Sequence, residues 1–250
     1  MKGMQIEPKH IMVSTISMCT MRCWHCVYGS VHIPRAIMPE KFVLKLIEEL
    51  ARINYSNRLS FYGVNEPLLD PRVIDFIAYA REKLPASKML LTSNGDLATI
   101  TLVERFFEVG LDRFQITIHE NRKIEDFMKI KEKHPRRVVL VDHSTPKNQQ
   151  HFHNAGGAIK SVKVKQERHT DKGCAFPFRQ IALYPDCTLG LCVEGYSDEL
   201  RVKVEDSQSI LDVYYNNEKL NQYREMLMSN KRDLLPCSEC SHEGHYNLLE

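Results

Sequence analysis

Three cysteines on one short loop have the spacing of an iron-sulfur ligand set. In the segment CTMRCWHC, Cys19, Cys23 and Cys26 form a CxxxCxxC arrangement. Three thiolates can bind three irons of a 4Fe-4S cubane and leave the fourth iron open to another molecule. Structural zinc is the alternative, but zinc favours four protein ligands, and His25 between two of the cysteines is poorly placed to supply the fourth. The spacing therefore favours a cluster with one open iron over zinc.

A second group of cysteines lies in the last third of the chain. Its members are Cys174, Cys187, Cys192, Cys237 and Cys240. A second cubane needs four thiolates, so one of the five is in excess. A zinc site made from the CxxC pair and two distant cysteines is a chemically sound alternative. In a reducing compartment either metal site is favoured over disulfides.

Alternating β-rich and helical segments predict an α/β fold that positions the first cysteine loop. Predicted strands cover 11–18, 58–64, 88–95, 113–120, 136–143 and 158–164. Amphipathic helices are predicted at 39–53, 71–85, 99–110 and 121–134. Six units are too few for a closed barrel of ~250 residues, so we expect an open, partial (β/α)6 barrel of the TIM type. In such barrels the catalytic residues lie at the carboxyl ends of the strands, and the cysteine loop follows the first strand.

The alternation stops near residue 165. Beyond it come a hairpin-like stretch IALYPDCTLGLC, one predicted helix near 209–229 and a terminal CSEC. We therefore expect two domains, a partial barrel at 1–164 and a small α+β module at 165–250.

The composition is that of an ordinary globular protein, with 43% hydrophobic residues, 26% charged residues and a net charge of +2. Such a balanced charge gives no general reason to expect a nucleic-acid or membrane partner. Charged residues and a proline interrupt the N-terminal segment, which does not read as a signal peptide. No run reaches the ~20 apolar residues of a membrane helix. A cytoplasmic location is the resulting expectation.

The three-cysteine loop after a first strand resembles the signature of the radical S-adenosylmethionine (SAM) superfamily. The resemblance implies that SAM chelates the open iron and that an electron delivered to the cluster cleaves SAM to a 5'-deoxyadenosyl radical, which abstracts a hydrogen atom. It also implies an external reductant such as flavodoxin or ferredoxin. The residue before the third cysteine lies near the adenine in this family, which assigns that contact to His25 with Trp24 beside it.

Two further segments resemble SAM-binding motifs of the same family. GVNE, comprising Gly63, Val64, Asn65 and Glu66, is similar to the Gly-Gly-Glu segment that binds the amino group of SAM. An ammonium group needs acceptors, which carbonyls and a carboxylate supply. The alternative is an ordinary strand-to-helix turn that begins a helix.

The segment TSNGD resembles the family's ribose-contacting step, with Ser93 and Asn94 as the contacting residues. A Ser-Asn-Gly turn is also common in general. After the fourth and fifth predicted strands, a further set of polar residues is expected at the same mouth of the barrel. That set is His119, Glu120, Asp142, His143 and Ser144, of which Ser144 is expected to contact SAM.

The C-terminal segment resembles the twitch and SPASM modules that carry auxiliary 4Fe-4S clusters in this superfamily. Cys187 occupies the place of their turn glycine, which leaves one complete ligand set: Cys174, Cys192, Cys237 and Cys240. The resemblance therefore implies a twitch module with one auxiliary cluster, and two 4Fe-4S clusters in all.

A fully ligated second cluster is suited to moving electrons. Together with hydrogen-atom abstraction beside a hydroxyl, it would allow two-electron oxidation of an alcohol to a ketone on a small sugar-like or cyclitol-like molecule. The layout resembles that of aminocyclitol dehydrogenases in the superfamily, which implies substrate contacts from Glu194 and Asn154. The segment FHNAGG is similar to the family's Asn-Arg-Ala-Gly stretch, but Asn154 occupies the place of the arginine. If that arginine accepts the substrate's proton, this chain uses another group, so the proton acceptor is unassigned.

Two other functions stay open at this point. Twitch and SPASM enzymes also modify peptides, by crosslinking, thioether formation or epimerisation, although many of them carry an additional leader-binding domain. A non-catalytic zinc or iron-sulfur protein is the third possibility, which the open coordination site of the first cluster disfavours.

Overall fold

The computed structural model describes residues 6–119, 124–145, 147–149, 152–162, 171–193, 196 and 198–242. Eight strands are found among them: β1 His10–Val13, β2 Arg58–Phe61, β3 Lys88–Ser93, β4 Arg113–Ile118, β5 Val138–Asp142, β6 Gln180–Leu183, β7 Thr188–Gly190 and β8 Arg201–Lys203. The helices of this part of the chain are α1 Val27–Ser30, α2 Glu40–Arg52, α3 Val73–Lys83, α4 Ile100–Glu108, α5 Ile124–Lys133, α6 Phe176–Arg179, α7 Ile210–Asn216 and α8 Glu218–Met228.

The strands form one sheet in the order β5-β4-β3-β2-β1-β6-β7-β8. The first six in this order run parallel, and β7 and β8 extend the sheet in antiparallel fashion. Helices α2 to α5 connect β1 to β5 in turn. The predicted α/β fold with six parallel strands and an open sheet is therefore confirmed.

The sixth parallel strand is not the predicted one. Residues 155–162 contain turns instead of a strand, and 163–164 lie outside the described residues. The sixth strand is β6, which pairs with β1 from His10 opposite Gln180 to Val13 opposite Leu183. Ile159 and Val162, which lie in the segment predicted as a strand, instead pack with Val27 in a small apolar cluster.

Packing of the helices on the sheet supplies the core. The inward face of α2 buries Phe42, Val43, Leu46, Ile47 and Leu50, each at most 3% exposed. Each such side chain stabilises the fold by about 1.5–3 kcal/mol relative to an exposed position. The spacing of these residues is that of an amphipathic helix, which is why the sequence predicts α2 within a residue of its observed bounds.

The predicted helix at 209–229 is divided. Asn217 has an extended backbone, and its side chain accepts a hydrogen bond from the amide of Leu220 at 3.2 Å. The asparagine thus ends α7 and caps the start of α8, because its short amide competes with the helical hydrogen bonds of the backbone.

The proposed division of the chain at 164/165 stays a prediction. Several contacts cross it, among them the pairing of β1 with β6 and the hydrogen bonds that the buried carboxylate of Glu49 in α2 accepts from the amides of Ile210 and Leu211 at 3.1 and 3.0 Å. Within the described residues, no helix is long and apolar enough to cross a membrane.

Candidate functional site

A cavity of about 790 Å³ opens at the carboxyl ends of β1 to β5. Parallel strands bring their carboxyl ends to one edge of a sheet, so residues far apart in sequence meet there. Most of the predicted site residues line this cavity: Cys19, Cys23, His25, Cys26, Gly63, Val64, Asn65, Glu66, Ser93 and Asn94. His119, Asp142 and His143 line it as well.

The thiols of the first cysteine group receive hydrogen bonds from several directions. Cys19 Sγ accepts from the amide of Met21 at 3.4 Å and from Asn94 Nδ2 at 3.7 Å. Cys23 Sγ lies 3.8 Å from His119 Nδ1. Such donors suit sulfur atoms that carry negative charge, as metal-bound thiolates do. Three cysteines on one cavity wall with open space beside them fit the three-thiolate ligand set of a cluster with one open iron.

The metal-binding side chains near the first cysteine group can also be compared with a zinc site. Ligand atoms of Cys23, His25 and His119 lie within 4.8 Å of one another. This group leaves out Cys19 and Cys26, whereas a closed zinc site would use four ligands. Burial raises the pKa of Cys19 and of Cys26, so both thiols are protonated until a metal displaces the proton.

Gly63 permits a close approach between the ends of β1 and β2. A Cβ atom at this position would lie 2.9 Å from Cβ and Oγ of Ser14, which is closer than real Cβ contacts. The side chain of Ser14 then reaches Asn65 Oδ1 at 3.1 Å. The GVNE segment is therefore held tightly against β1, next to the cysteine loop.

The carboxylate of Glu66 ties the end of β2 to the end of β3. Glu66 is 1% exposed, and its Oε1 accepts hydrogen bonds from the amide of Leu68 at 3.0 Å and from Ser93 Oγ at 2.8 Å. Its Oε2 accepts from the amide of Asn94 at 2.8 Å. Burial raises the pKa of this carboxyl, and the three donors oppose that rise. The structure thus engages both oxygens with the chain itself; contact with SAM stays a prediction.

Asn94 links the third strand to the cysteine loop. Its Nδ2 donates to Thr20 Oγ1 at 2.9 Å in addition to Cys19, and its Oδ1 accepts from the amide of Asp96 at 2.9 Å. Gly95 follows with φ +83°, and a Cβ atom there would lie 2.5 Å from the ring of Phe127. Only glycine suits this combination of left-handed backbone and close packing.

Two buried nitrogens on the cavity wall have no hydrogen-bond partner among the described residues. They are His25 Nδ1 and Asn65 Nδ2. Buried polar atoms are nearly always satisfied, so such atoms beside a cavity indicate groups whose partner is a bound molecule. Both residues belong to the motifs from which SAM contacts are predicted, and the arrangement fits that cofactor.

An aromatic wall, formed by His25, His119, His143 and Phe152, lines part of the cavity. The ring of His25 stacks on Phe152 at 4.1 Å between centroids and lies nearly parallel to that of His119 at 5.6 Å. His143 packs edge-on against Phe152 at 4.9 Å. Burial lowers the pKa of His25 to about 4 and lowers that of His143, so both rings are neutral at pH 7.

Among the described residues, three predicted site residues do not line the cavity. Trp24 is 43% exposed and touches Phe152 by its edge. Ser144 donates from its amide and its hydroxyl to Asp142 Oδ1 at 2.8 and 2.6 Å. Glu194 lies outside the described residues, as does Glu120.

Asn154, the third, is bonded to the loop that carries the last two cysteines. Its Nδ2 donates to the carbonyl of Glu239 at 2.7 Å, and its Oδ1 accepts from the amide of Ser241 at 3.0 Å. Next to it, Ala155, Gly156 and Gly157 all have positive φ. A Cβ atom on Gly156 would lie 2.6 Å from Cβ of Pro236. This turn is therefore packed tightly on the CSEC loop.

The second cysteine group forms a small, apolar cavity of its own. Its lining includes Cys174, Cys192, Cys237 and Cys240, together with apolar residues such as Phe176, Leu200 and Leu227. Burial raises the pKa of Cys237 to about 12, and the nearby thiols of Cys240 and Cys174 add to the rise. Four thiols around one small cavity fit a fully ligated cluster and also fit tetrahedral zinc.

Cys187 is not part of that lining. It lies in the turn between β6 and β7 with φ 60° and near the charged groups of Lys203 and Asp186. A left-handed backbone is the conformation that glycine adopts most readily. The observation agrees with the position of a turn glycine that the sequence pattern assigns to Cys187.

Arg232 is a residue that the sequence reasoning missed. It is 2% exposed and donates to the carbonyls of Lys172, Gly173 and His242 at 3.0, 3.0 and 2.7 Å. These bonds hold together the segments that carry Cys174 and Cys240. In sequence it stands between the exposed Lys231 and Asp233 and carries no signal that distinguishes it from a surface arginine.

The segment 152–156 contributes to the linings of both cavities. Phe152, His153 and Ala155 line the large cavity, whereas Gly156 lines the small one. Consecutive Cα atoms lie 3.8 Å apart, so one peptide unit separates the two linings at this point. The ring of His153 also lies 4.2 Å from that of His242, which lines the small cavity.

Comparison with known proteins agrees with this geometry. Residues 13–140 match the model of the radical SAM superfamily. The chain is 25% identical over 240 residues to the S-adenosyl-L-methionine-dependent 2-deoxy-scyllo-inosamine dehydrogenase of Niallia circulans, covering 92% of each chain. It is 30% identical over 114 residues to the GTP 3',8-cyclase of Nostoc punctiforme, covering 44% of this chain and 34% of that one.

Solved structures give the same fold. The crystal structure of BtrN in complex with AdoMet and 2-DOIA matches with a TM-score of 0.84 at 22% identity over 96% of both chains. BtrN in an open conformation matches with a TM-score of 0.69 at 22% identity, over 94% of this chain and 92% of that one. The structure of Streptococcus suis SuiB bound to precursor peptide SuiA matches with a TM-score of 0.54 at 14% identity, over 88% of this chain and 67% of that one.

Proposed function

The chain belongs to the radical SAM superfamily, and on that premise we propose that it oxidises an alcohol of a small, cyclitol-like substrate to a ketone. Membership implies SAM and one 4Fe-4S cluster. The observation that carries the proposal is the 25% identity to a 2-deoxy-scyllo-inosamine dehydrogenase across 92% of both chains. A small polar substrate suits a cavity lined largely by polar and aromatic side chains.

The residues of the large cavity have distinct roles in this proposal. Cys19, Cys23 and Cys26 would hold the cluster, and Asn65 with His25 would contact SAM through their unpartnered nitrogens. When bound, the cluster and SAM supply a 5'-deoxyadenosyl radical that takes a hydrogen atom from the substrate carbon. The aromatic wall of His25, Phe152 and His143 excludes water from one side of the substrate.

Oxidation to a ketone also releases the hydroxyl proton, and we assign its acceptance to His143. Its ring lines the cavity, is neutral at pH 7 and has no hydrogen bond to another described residue. Asp142 is engaged by Ser144 and Asn148, and Lys147 offers an ammonium group that only donates. Asn154 has an amide, which is no base, and it is bonded to the CSEC loop.

The remaining electron needs an acceptor, which an auxiliary 4Fe-4S cluster held by Cys174, Cys192, Cys237 and Cys240 would supply. Support comes from the gathering of these four thiols around one cavity and from Ala155 and Gly156, neighbours in the chain that line the larger and the smaller cavity respectively. Zinc in the same place would leave the electron without an acceptor, since zinc has no redox chemistry. A flavodoxin or ferredoxin would reduce the first cluster.

Anaerobic turnover with a panel of polyols tests the proposal. The reconstituted enzyme, SAM and a reductant are mixed with 2-deoxy-scyllo-inosamine, other cyclitols or sugars, and ketone and 5'-deoxyadenosine are quantified. Deuterium on the oxidised carbon is expected in 5'-deoxyadenosine. A panel that yields only background 5'-deoxyadenosine, while a peptide substrate becomes crosslinked or epimerised, would replace this proposal with peptide modification.

A further inference from the structure

His119 lies directly after β4, on the wall of the cavity that faces the cysteine loop. Its Nδ1 is 3.8 Å from Cys23 Sγ, within the longer range of hydrogen bonds to sulfur. The two residues are separated by 96 positions in sequence. The ring is held nearly parallel to that of His25, at 20° and 5.6 Å, which fixes its orientation.

We propose that His119 donates a hydrogen bond from Nδ1 to the thiolate of Cys23 and thereby raises the reduction potential of the cluster that Cys19, Cys23 and Cys26 hold. The proposal rests on membership of the radical SAM superfamily. It does not depend on alcohol oxidation, and it stands or falls with measurements made without any substrate.

The direction of the hydrogen bond follows from the chemistry of the two atoms. A cysteine that ligates iron is a thiolate and has no proton to donate. The shared hydrogen must therefore be on Nδ1 of His119, because that nitrogen faces the sulfur. This is the arrangement by which a neighbouring side chain orients and tunes a metal ligand.

The effect on the potential follows from charge. Reduction adds one negative charge to a cluster, and part of that charge is spread over the ligand sulfurs. Hydrogen bonds to these sulfurs stabilise the reduced form and raise the potential. Cys19 has comparable donors in Asn94 and the amide of Met21. His119 supplies the side-chain donor that reaches Cys23 from another strand.

A redox titration of the first cluster, monitored by electron paramagnetic resonance without SAM, tests the proposal. His119→Ala should shift the midpoint potential to a more negative value. His119→Asn, whose Nδ2 takes the place of Nδ1, should return the potential towards that of the native protein. The matched control is His143→Ala, which removes a ring of the same cavity 6.1 Å from that of His119 and should leave the potential unchanged.

Two outcomes would overturn the proposal: an unchanged potential in His119→Ala, or an equal shift in His143→Ala. If His119→Ala fails to assemble the cluster, the native protein decides. Pulsed resonance on its reduced cluster should detect an exchangeable deuteron in deuterated water and a coupled nitrogen from ¹⁵N-labelled histidine. Absence of the histidine nitrogen coupling would refute the hydrogen bond.

Discussion

His143 combines a position on the cavity wall with surroundings that keep its ring uncharged. Burial lowers its pKa below the ordinary value of 6.5, and the neighbouring carboxylate of Asp142 opposes this shift. The rings of His25 and His119 also face it. A neutral imidazole can accept a proton at pH 7, so the proposed oxidation should become slower as the pH falls through the lowered pKa of His143.

His143→Gln should separate SAM cleavage from product formation. Glutamine keeps a polar side chain but cannot accept a proton, and loss of a general base lowers the rate by about 100-fold or more. We expect 5'-deoxyadenosine to form still, with ketone reduced by about this factor. The measurement is ketone formed per 5'-deoxyadenosine as a function of pH.

The pH profile distinguishes a catalytic base from a residue that only shapes the cavity. In His143→Gln the decline of the ketone yield at acid pH should disappear together with the titrating ring. An equal acid limb in the variant and the native enzyme, or an undiminished ketone yield, would assign the proton to another acceptor.

For single residues, the sequence predicts which side chains can bind a metal better than it predicts which residues those side chains contact. The three-cysteine spacing marks one loop, so Cys19, Cys23 and Cys26 can be identified without a fold. Asn154 illustrates the limit: the same FHNAGG string is compatible with an amide that faces substrate or the CSEC loop. Its bonds to Glu239 and Ser241 join positions 85 and 87 residues away, which no local pattern encodes.

Among the elements, β2 and β3 depend on the carboxylate of Glu66 to hold their ends together. Glu66→Gln replaces one accepting oxygen with an amide nitrogen that donates. The three groups that contact Glu66 are themselves donors, so the new amide nitrogen would face a donor instead of an acceptor. A buried donor without an acceptor costs about 1–3 kcal/mol. We expect the free energy of unfolding in urea to decrease by this amount.

Glu82→Gln is the matched control for that substitution. Glu82 lies on α3 with its side chain 68% exposed. Surface replacements of this kind change stability by less than about 0.5 kcal/mol. Equal stability of the two variants would show that the carboxylate of Glu66 is not a structural tie.

The turn at 155–157 positions the CSEC loop and hence the last two cysteines. Gly156→Val would place a branched side chain on a backbone with φ +63°, against Pro236. The loop has to move, so we expect the variant to lose about four irons per chain while it retains SAM cleavage at the first cluster. Iron analysis and 5'-deoxyadenosine formation are the two measurements.

Ser161→Ala serves as a control within the same segment. Ser161 donates to the carbonyl of Trp24 at 2.6 Å instead of contacting the CSEC loop. Its loss should leave the iron content unchanged. Full iron content in Gly156→Val would mean that the loop is positioned without the turn.

A helix or strand could be predicted where its apolar residues recur with the period of that element. The strands and helices from β1 to β5 alternate with distinct apolar spacings, and the structure confirms them. The sixth parallel strand lies largely within the stretch predicted as a hairpin, but its parallel pairing with β1 could not be found in this way, because the two strands are 170 residues apart. The division between α7 and α8 depends on one asparagine whose capping competes with an otherwise helical pattern.

In the molecule as a whole, the position of β6 beside β1 brings the two cysteine groups to neighbouring cavities. The first group follows β1, while Cys192 comes just after β7, which pairs with β6. The segment 152–156 contributes residues to the linings of both cavities. This arrangement favours electron exchange between a substrate in the large cavity and a metal group in the small one.

The double variant Cys237→Ser and Cys240→Ser tests whether the small cavity serves oxidation. Its first cysteine group is intact, so SAM cleavage and transfer of deuterium from substrate to 5'-deoxyadenosine should persist. Ketone should be lost, because the radical formed by hydrogen abstraction has no electron acceptor. Cys187→Ala is the matched control: it removes a thiol outside the cavity lining and should leave both iron content and ketone yield unchanged. Undiminished ketone formation by the double variant would make the second group of cysteines purely structural.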